Sequence, residues 1–134
     1  MAHIADAHAL LWHLYWPQRL GIAAQKVFAA ADAGQMSVHV PAVVVAEMLM
    51  VVQKGRLPGV SLTHLLPHLR AMEKSDNYQL SSLSPATVIA SHAYTSIPDI
   101  FDRLIVTEAI QRGFPLVTRD PIIRQSGLIA TIWD

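Results

Sequence analysis

The segment IPDIFDRLIVTEAIQRGFPLVTRD, residues 97–120, carries the clearest signals of the fold. Asp99 is a preferred helix-capping residue and Gly113 is typical of the position just past a helix, so they predict a helix from Asp99 to Gln111. The short apolar run PLVT that follows predicts a buried strand, and Asp120 lies just beyond it. A helix that leads into a buried strand is the unit from which parallel sheets are built.

Strands and helices alternate along the rest of the chain as well. Buried apolar runs predict strands at residues 2–6, 36–40, 78–83 and 128–133. Apolar periodicity, with proline near the start or glycine after the end of several segments, predicts helices at residues 7–14, 19–33, 41–54, 61–74, 85–94 and 121–126. This alternation predicts an α/β fold in which helices cover both faces of a parallel sheet and ligands bind beyond the carboxyl ends of its strands.

Composition narrows the class of protein further. The chain has 134 residues, of which 52% are hydrophobic and 15% charged, so we expect one folded domain over residues 1–134 rather than disorder. The sequence contains neither a run of about 18 apolar residues that would span a membrane nor a secretory signal. The absence of cysteine excludes disulfides and thiolate metal sites, which suits a cytoplasmic protein.

The formal net charge is zero, which argues mildly against a general nucleic-acid binder. If a group of acids binds divalent cations, however, the remaining surface is net basic and can contact phosphate. The candidate phosphate contacts are Lys54, Arg56, Arg103, Arg112, Arg119 and Arg124. Taken singly, each is equally well explained as solvated surface charge.

Five of the ten acidic residues lie next to apolar stretches, namely Asp6, Glu47, Asp99, Asp102 and Asp120. Ionised carboxylates are rarely buried unless they are paired, hydrogen-bonded or bound to metal. Asp6 and Asp120 follow predicted strands, and the helices that carry Glu47 and Asp102 could bring their acids to the same sheet edge. Carboxylates crowded there would repel one another, and a hard cation such as Mg²⁺ or Mn²⁺ removes that repulsion. The pattern therefore predicts a metal site.

The acids also have a simpler interpretation as helix caps. Asp6, Asp99 and Asp120 all stand where a capping residue is expected. Glu47 is harder to explain in this way, because the helix predicted around it has no plainly polar face. We favour Asp99 as a structural residue and Asp102 as a chemical one.

Histidine and tryptophan give weaker signals. His64 and His68 have the i, i+4 spacing of a zinc pair, but the glutamate of a metalloprotease motif and a third ligand are missing. His8 lies close to Asp6 in sequence and is expected at the edge of the site. The tryptophans are interpreted as core or dimer-contact residues rather than as base-stacking platforms: Trp12, Trp16 and Trp133.

These residues resemble the PIN-domain family, in particular its VapC-like toxin ribonucleases, over nearly the whole chain. DAHALLW, which begins at Asp6, is similar to the family's opening aspartate and helix, and Glu47 falls on the second acid. PDIFDRLIVTEAIQRG is the most specific match, with Asp102 on the third acid. PLVTRD matches the segment of the fourth acid, Asp120, with Thr118 as a site hydroxyl.

The resemblance implies a PIN-like three-layer α/β/α sandwich with a central, mostly parallel sheet. It also implies the toxin of a type II toxin–antitoxin system: a metal-dependent endoribonuclease that cuts tRNA or rRNA by metal-activated water, is silenced by a cognate antitoxin and is commonly a homodimer. The residues implied to hold one or two Mg²⁺ or Mn²⁺ ions are Asp6, Glu47, Asp102 and Asp120. We further expect Asp99 and Thr118 to support this site, with Arg119 or Arg103 near substrate phosphate.

The sequence departs from the family pattern at two places. Ala7 stands where threonine or serine often follows the first aspartate, and Pro41, Ala42 and Ala46 replace the small hydroxyl and tryptophan often found before the second acid. These departures leave open a catalytically weak or inactive PIN-fold module that binds RNA or a protein partner. A third alternative is a small α/β interaction domain whose acids only cap helices, and it predicts no metal binding.

Overall fold

The computed structural model describes all 134 residues, and a five-stranded sheet lies at its centre. The strands are β1 (Ala2–Ala5), β2 (Ser37–Pro41), β3 (Tyr78–Ser81), β4 (Leu116–Val117) and β5 (Thr131–Ile132). They lie in the order β3-β2-β1-β4-β5, and every neighbouring pair is parallel. The predicted α/β fold with a central parallel sheet is confirmed.

Seven α-helices flank the sheet. They are α1 (Ala7–Tyr15), α2 (Ile22–Asp32), α3 (Ala42–Gln53), α4 (Leu62–Glu73), α5 (Pro85–Ala90), α6 (Ile100–Arg112) and α7 (Pro121–Ser126). Two short 3₁₀ turns, Pro17–Arg19 and Ser91–Ala93, separate some of these elements. No helix combines the length and apolar character needed to cross a bilayer.

The element boundaries differ from the sequence predictions at several places. The helix predicted at 85–94 is the short α5 followed by the 3₁₀ turn Ser91–Ala93, and the strand predicted at 78–83 ends at Ser81. α2 begins at Ile22 instead of residue 19, because Pro17–Arg19 forms a separate turn. Pro41 is the last residue of β2 and not part of the first helical turn, since its ψ of 150° is extended. The last strand keeps only Thr131 and Ile132, because it pairs only with the two residues of β4.

The central strand β1 positions the loop ends that carry the predicted site. Ile4 pairs with β2 on one side and with Leu116 of β4 on the other. Beyond the end of β1, the backbone N–H of Asp6 donates to the carbonyl oxygen of Val117 at 3.1 Å. β1 and β4 therefore end side by side, and Asp6 and Thr118 meet at the carboxyl edge of the sheet.

One apolar core of 32 buried residues holds these elements together. Ile4 on β1, Met48 on α3 and Ile105 on α6 are completely buried in it. Each such side chain stabilises the fold by about 1.5–3 kcal/mol through burial. Since α3 and α6 also pack against each other, the core fixes the two helices that carry Glu47 and Asp102.

Replacing Gly21 with alanine is expected to destabilise the fold by about 2–3 kcal/mol. A Cβ atom at this position would lie 2.1 Å from the carbonyl oxygen of Trp133. The same oxygen accepts the N–H of Ala24 at 3.1 Å, so relieving the clash would also disturb a hydrogen bond that anchors α2. Urea denaturation measures the effect. The substitution Ile22→Ala, at a residue 67% exposed, is the control, and an equal loss in both variants would contradict the packing argument.

Candidate active site

A cavity of about 410 Å³ lies at the carboxyl edge of the sheet. Four of its lining side chains are the acids that the sequence predicts as metal ligands: Asp6, Glu47, Asp102 and Asp120. The remaining lining residues are His8, Trp12, Arg119 and Pro121. We call this space the acid cavity. Four carboxylates that lie far apart in the sequence thus border one space.

Asp6 is the most firmly held of the four acids. Its side chain is buried, its Oδ1 accepts the N–H of Ala9 at 2.9 Å, and its Oδ2 accepts the hydroxyl of Thr118 at 2.5 Å. Burial raises the pKa of Asp6, while the hydrogen bonds from Thr118 and Ala9 oppose this rise. Asp6 is therefore both the cap of α1 and a wall of the acid cavity, so the two interpretations of this residue are compatible.

Thr118 also connects Asp6 to Asp120. The Thr118 Oγ1 accepts the backbone N–H of Asp120 at 3.0 Å while it donates to Asp6. Asp120 caps α7, and its Oδ1 accepts the N–H groups of Ile122 at 2.8 Å and Ile123 at 3.2 Å. The hydroxyl of Thr118 thus fixes the spacing of two carboxylates that follow adjacent strands.

Glu47 on α3 and Asp102 in the first turn of α6 complete the acid cavity. Both are half-buried, and neither takes part in an ion pair. Burial, followed by repulsion from Asp6, raises the pKa of Glu47 to about 7. Burial, followed by repulsion from Asp120, raises the pKa of Asp102 to about 8. No protein cation lowers either pKa, so Glu47 and Asp102 have no charge partner in the chain.

Mg²⁺ or Mn²⁺ fits the chemistry of this cavity. Both ions prefer oxygen ligands, and the cavity offers four carboxylates whose mutual repulsion a cation would relieve. In the present arrangement, no three acidic or histidine side chains are close enough together to coordinate one ion directly. Because Mg²⁺ usually keeps several of its water ligands, carboxylates at a wider spacing can still hold it partly through water.

Asp99 and Arg103, the other predicted supporting residues on this segment, do not line the acid cavity. Asp99 caps α6 by accepting the N–H of Asp102 at 3.1 Å, and so holds the helix turn that carries this acid. Arg103 donates from Nε to the carbonyl oxygen of Ile97 at 2.9 Å and from Nη2 to that of Pro98 at 3.4 Å. The guanidinium of Arg103 is thus hydrogen-bonded to the loop before α6. Arg119, in contrast, borders the acid cavity directly.

The family model of the PIN domain matches residues 4–127 of the sequence. This chain belongs to the PIN domain family. PIN domains are generally nucleases, and they generally use divalent metal ions. The family resemblance is therefore confirmed, and all four acids of the cavity fall within the matched segment.

Two solved structures share the fold of this PIN domain. One is VapBC2 from Rickettsia felis, bound to a DNA fragment from the VapBC2 promoter. It matches with a TM-score of 0.69 and 14% identity over 100% of both chains. FitAcB from Neisseria gonorrhoeae matches with a TM-score of 0.60 and 17% identity over 98% of this chain and 96% of its own. At these identities the likeness shows the fold alone. No curated protein matches the sequence.

Trp12 has a place in the site of this PIN domain that was not predicted from the sequence. Trp12 lines the acid cavity, and the guanidinium carbons of Arg119 and Arg19 lie 5.4 Å and 6.0 Å from the centroid of its ring. One signal was available, because Trp12 lies on the helix that begins directly after Asp6. The prediction that His8 touches the edge of the site agrees with its place in the lining.

Replacing Thr118 with valine is expected to reduce nuclease activity by about tenfold or more and stability by about 1–3 kcal/mol. Valine preserves the shape but removes the hydroxyl that Asp6 and the N–H of Asp120 both use, so the spacing of the two acids is no longer fixed. Cleavage rate and urea denaturation are measured together.

The matched control is Thr87→Val. Thr87 is also buried, and its hydroxyl is hydrogen-bonded to Ser84 and Gln111, away from the acid cavity. The Thr87→Val variant should lose stability and keep the wild-type cleavage rate. If Thr118→Val loses only stability, the hydroxyl does not position the acids.

Proposed function

We propose that this PIN domain is a metal-dependent endoribonuclease that hydrolyses RNA phosphodiester bonds, with residues 1–134 acting as a single nuclease domain. The observation that supports this most strongly is that Glu47 and Asp102 lie half-buried, without an ion-pair partner, beside two further carboxylates in one open cavity. A fold maintained by its caps and core alone has no need of these two half-buried acids. A nuclease that binds cations needs them.

In the proposed mechanism, one or two Mg²⁺ or Mn²⁺ ions are held, directly or through water, by Asp6, Glu47, Asp102 and Asp120. When bound there, such an ion would supply two kinds of chemistry, a lowered pKa for an attacking water and stabilisation of negative charge on the phosphoryl oxygens. Thr118 keeps Asp6 oriented, Asp99 holds the first turn of α6, and Arg119 contacts a substrate phosphate.

Ala7 does not weaken this proposal. The hydroxyl that the family pattern often supplies at this position would help order the site, but Ala7 is completely buried at the start of α1. Asp6 receives a hydroxyl hydrogen bond from Thr118 and a backbone hydrogen bond from Ala9 instead. Both carboxylate oxygens are therefore already positioned, and we favour a cutting enzyme over an inactive binding module.

The partners of this nuclease are proposed from its resemblance to VapC-like toxins and from the fold it shares with VapBC2. The substrate would be a tRNA or rRNA in the cytoplasm. A cognate antitoxin protein would inhibit the enzyme, and two copies of the chain would form a homodimer. Size-exclusion chromatography with light scattering tests the dimer independently of activity.

The nuclease proposal is tested by incubating the purified protein with total cellular RNA and Mn²⁺. We expect discrete cleavage products that disappear when EDTA is added and return when Mn²⁺ is restored, because cutting depends on a bound cation. Sequencing of the product ends identifies the target. Cleavage that persists in EDTA would contradict a metal-dependent mechanism, and intact RNA at saturating Mn²⁺ would favour the inactive binding module.

A further inference from the structure

A second cavity adjoins the acid cavity and shares Arg119 with it. It measures about 470 Å³ and is lined by three arginines, Arg19, Arg119 and Arg124, together with Leu20, Gly21, Trp133 and Asp134. We call it the arginine cavity. Its size is within the range of pockets that hold small ligands. An open surface with three guanidinium groups therefore lies directly beside a surface with four carboxylates.

Aromatic rings hold two of these arginines in place. The guanidinium carbon of Arg19 lies 4.4 Å from the ring centroid of Trp16 and 6.0 Å from that of Trp12. The guanidinium of Arg119 lies 5.4 Å from the Trp12 centroid. Cation–π attraction of this kind orients an arginine without using its hydrogen-bond donors. The donors of Arg19 and Arg119 are therefore free for an anion.

The charge of the arginine cavity is only partly neutralised by the chain. None of the ion pairs in the structure involves Arg19 or Arg119. Arg124 pairs with Asp134 at 2.9 Å, but the side chain of Asp134 is 81% exposed, so this ion pair is weak. The exposed carboxylate of Asp134 thus binds the guanidinium of Arg124, and a phosphate could replace this carboxylate.

We propose that the arginine cavity is a subsite for the backbone phosphates of single-stranded RNA next to the bond that is cut. This inference rests on the proposed nuclease function. Guanidinium groups bind phosphate oxygens through paired hydrogen bonds, and grooves that combine positive charge with aromatic side chains are typical of single-strand binding. Arg119 borders both cavities, so the two surfaces adjoin at this residue and are within reach of one strand. Trp12 and Trp16 are positioning residues that hold the arginines.

The test separates binding from cutting. An Asp102→Asn protein, which we expect not to cleave, is titrated with a fluorescein-labelled oligouridylate, and fluorescence anisotropy is recorded over a range of salt concentrations. Arg19→Gln and Arg124→Gln, made in this background, should each weaken binding by about threefold or more and reduce the slope of log K against log salt by about 0.7. The salt slope counts phosphate contacts, so a variant that is merely less stable would not change it.

Two further variants sharpen the test. Arg70→Gln is the matched control, since Arg70 is exposed on α4, which packs against the far edge strand β3. It should leave the affinity and the slope unchanged. Asp134→Asn should tighten binding by about twofold, because it frees Arg124 from its intramolecular partner. An increase in affinity is an effect that loss of folding cannot produce.

Three outcomes decide the proposal. If Arg19→Gln and Arg124→Gln bind as Arg70→Gln does, the subsite is wrong, even where the wild-type protein cuts RNA. If the arginine variants lose affinity for a labelled oligoglutamate peptide and not for the oligouridylate, the cavity receives an acidic protein segment instead and the proposal is overturned. If they lose RNA affinity while the wild-type protein fails to cut any RNA, the subsite is supported and only the nuclease proposal fails.

Discussion

Asp102→Asn is expected to lower the rate of RNA cleavage by about a thousandfold or more while it stabilises the metal-free protein. The substitution removes one of the four carboxylates that border the acid cavity, so the cavity holds a divalent cation poorly. In the metal-free fold, the same carboxylate is half-buried without a compensating cation, and its pKa is raised to about 8 by burial and by repulsion from its neighbours. Asparagine has nearly the same shape and no charge.

Cleavage assays and thermal denaturation in EDTA at pH 8 measure the two effects on the same preparation. Asp76→Asn is the matched control, because Asp76 is an exposed acid in the loop after α4 and does not line the acid cavity. The Asp76→Asn substitution should change neither the cleavage rate nor the melting temperature. An Asp102→Asn enzyme that cuts at the wild-type rate would show that this residue is not part of the catalytic site.

The metal-free protein is expected to lose stability as the pH rises, and bound Mg²⁺ should restore it. The pKa of Glu47 rises from 4.5 to about 7 on folding, and that of Asp102 from 3.8 to about 8. Groups with a raised pKa bind more protons in the folded state than in the unfolded state, so the free energy of unfolding falls as the pH increases. The contribution of these two acids to the free energy of unfolding is fully present below pH 3.8 and is lost between that value and about pH 8.

The size of this effect follows from the two acids being only half-buried. After allowance for solvent screening, we expect about 1–2 kcal/mol over this pH range, or a fall in Tm of several degrees. Thermal denaturation at pH 5 and pH 8, with EDTA or with millimolar Mg²⁺, measures it. The rise in Tm caused by Mg²⁺ should be larger at pH 8, where both acids are ionised. An equal rise for the Asp102→Asn variant would contradict binding in the acid cavity.

Much of the fold could be predicted from local signals. Asp99 and Gly113 bracket α6, with Asp99 as its cap and Gly113 in the left-handed conformation just after it. Asp6 and Asp120 were predicted at strand ends, and the pairing of β1 with β4 brings these ends together. The alternation of strands and helices therefore predicted which acids lie together, because the carboxyl ends of parallel strands all lie at one edge of the sheet.

The details that depend on packing could not be predicted in this way. Arg103 was expected near a substrate phosphate, but its guanidinium bonds to the carbonyl oxygens of Ile97 and Pro98, an arrangement set by the path of a loop. The approach of Arg19 to Trp12 depends on the 3₁₀ turn that ends at Arg19, where a longer helix was expected. Neither the turn nor the arginine cavity leaves a periodic signal in the sequence.

We propose that four carboxylates at the carboxyl edge of the sheet bind the catalytic metal, directly or through water. Crystals of the protein soaked in Mn²⁺ and measured by anomalous diffraction test this most directly, because Mn²⁺ is located by its own scattering. We expect one or two Mn²⁺ peaks in the cavity bordered by Asp6, Glu47, Asp102 and Asp120. The absence of any peak in that cavity at saturating Mn²⁺, or binding only at another site, would contradict it.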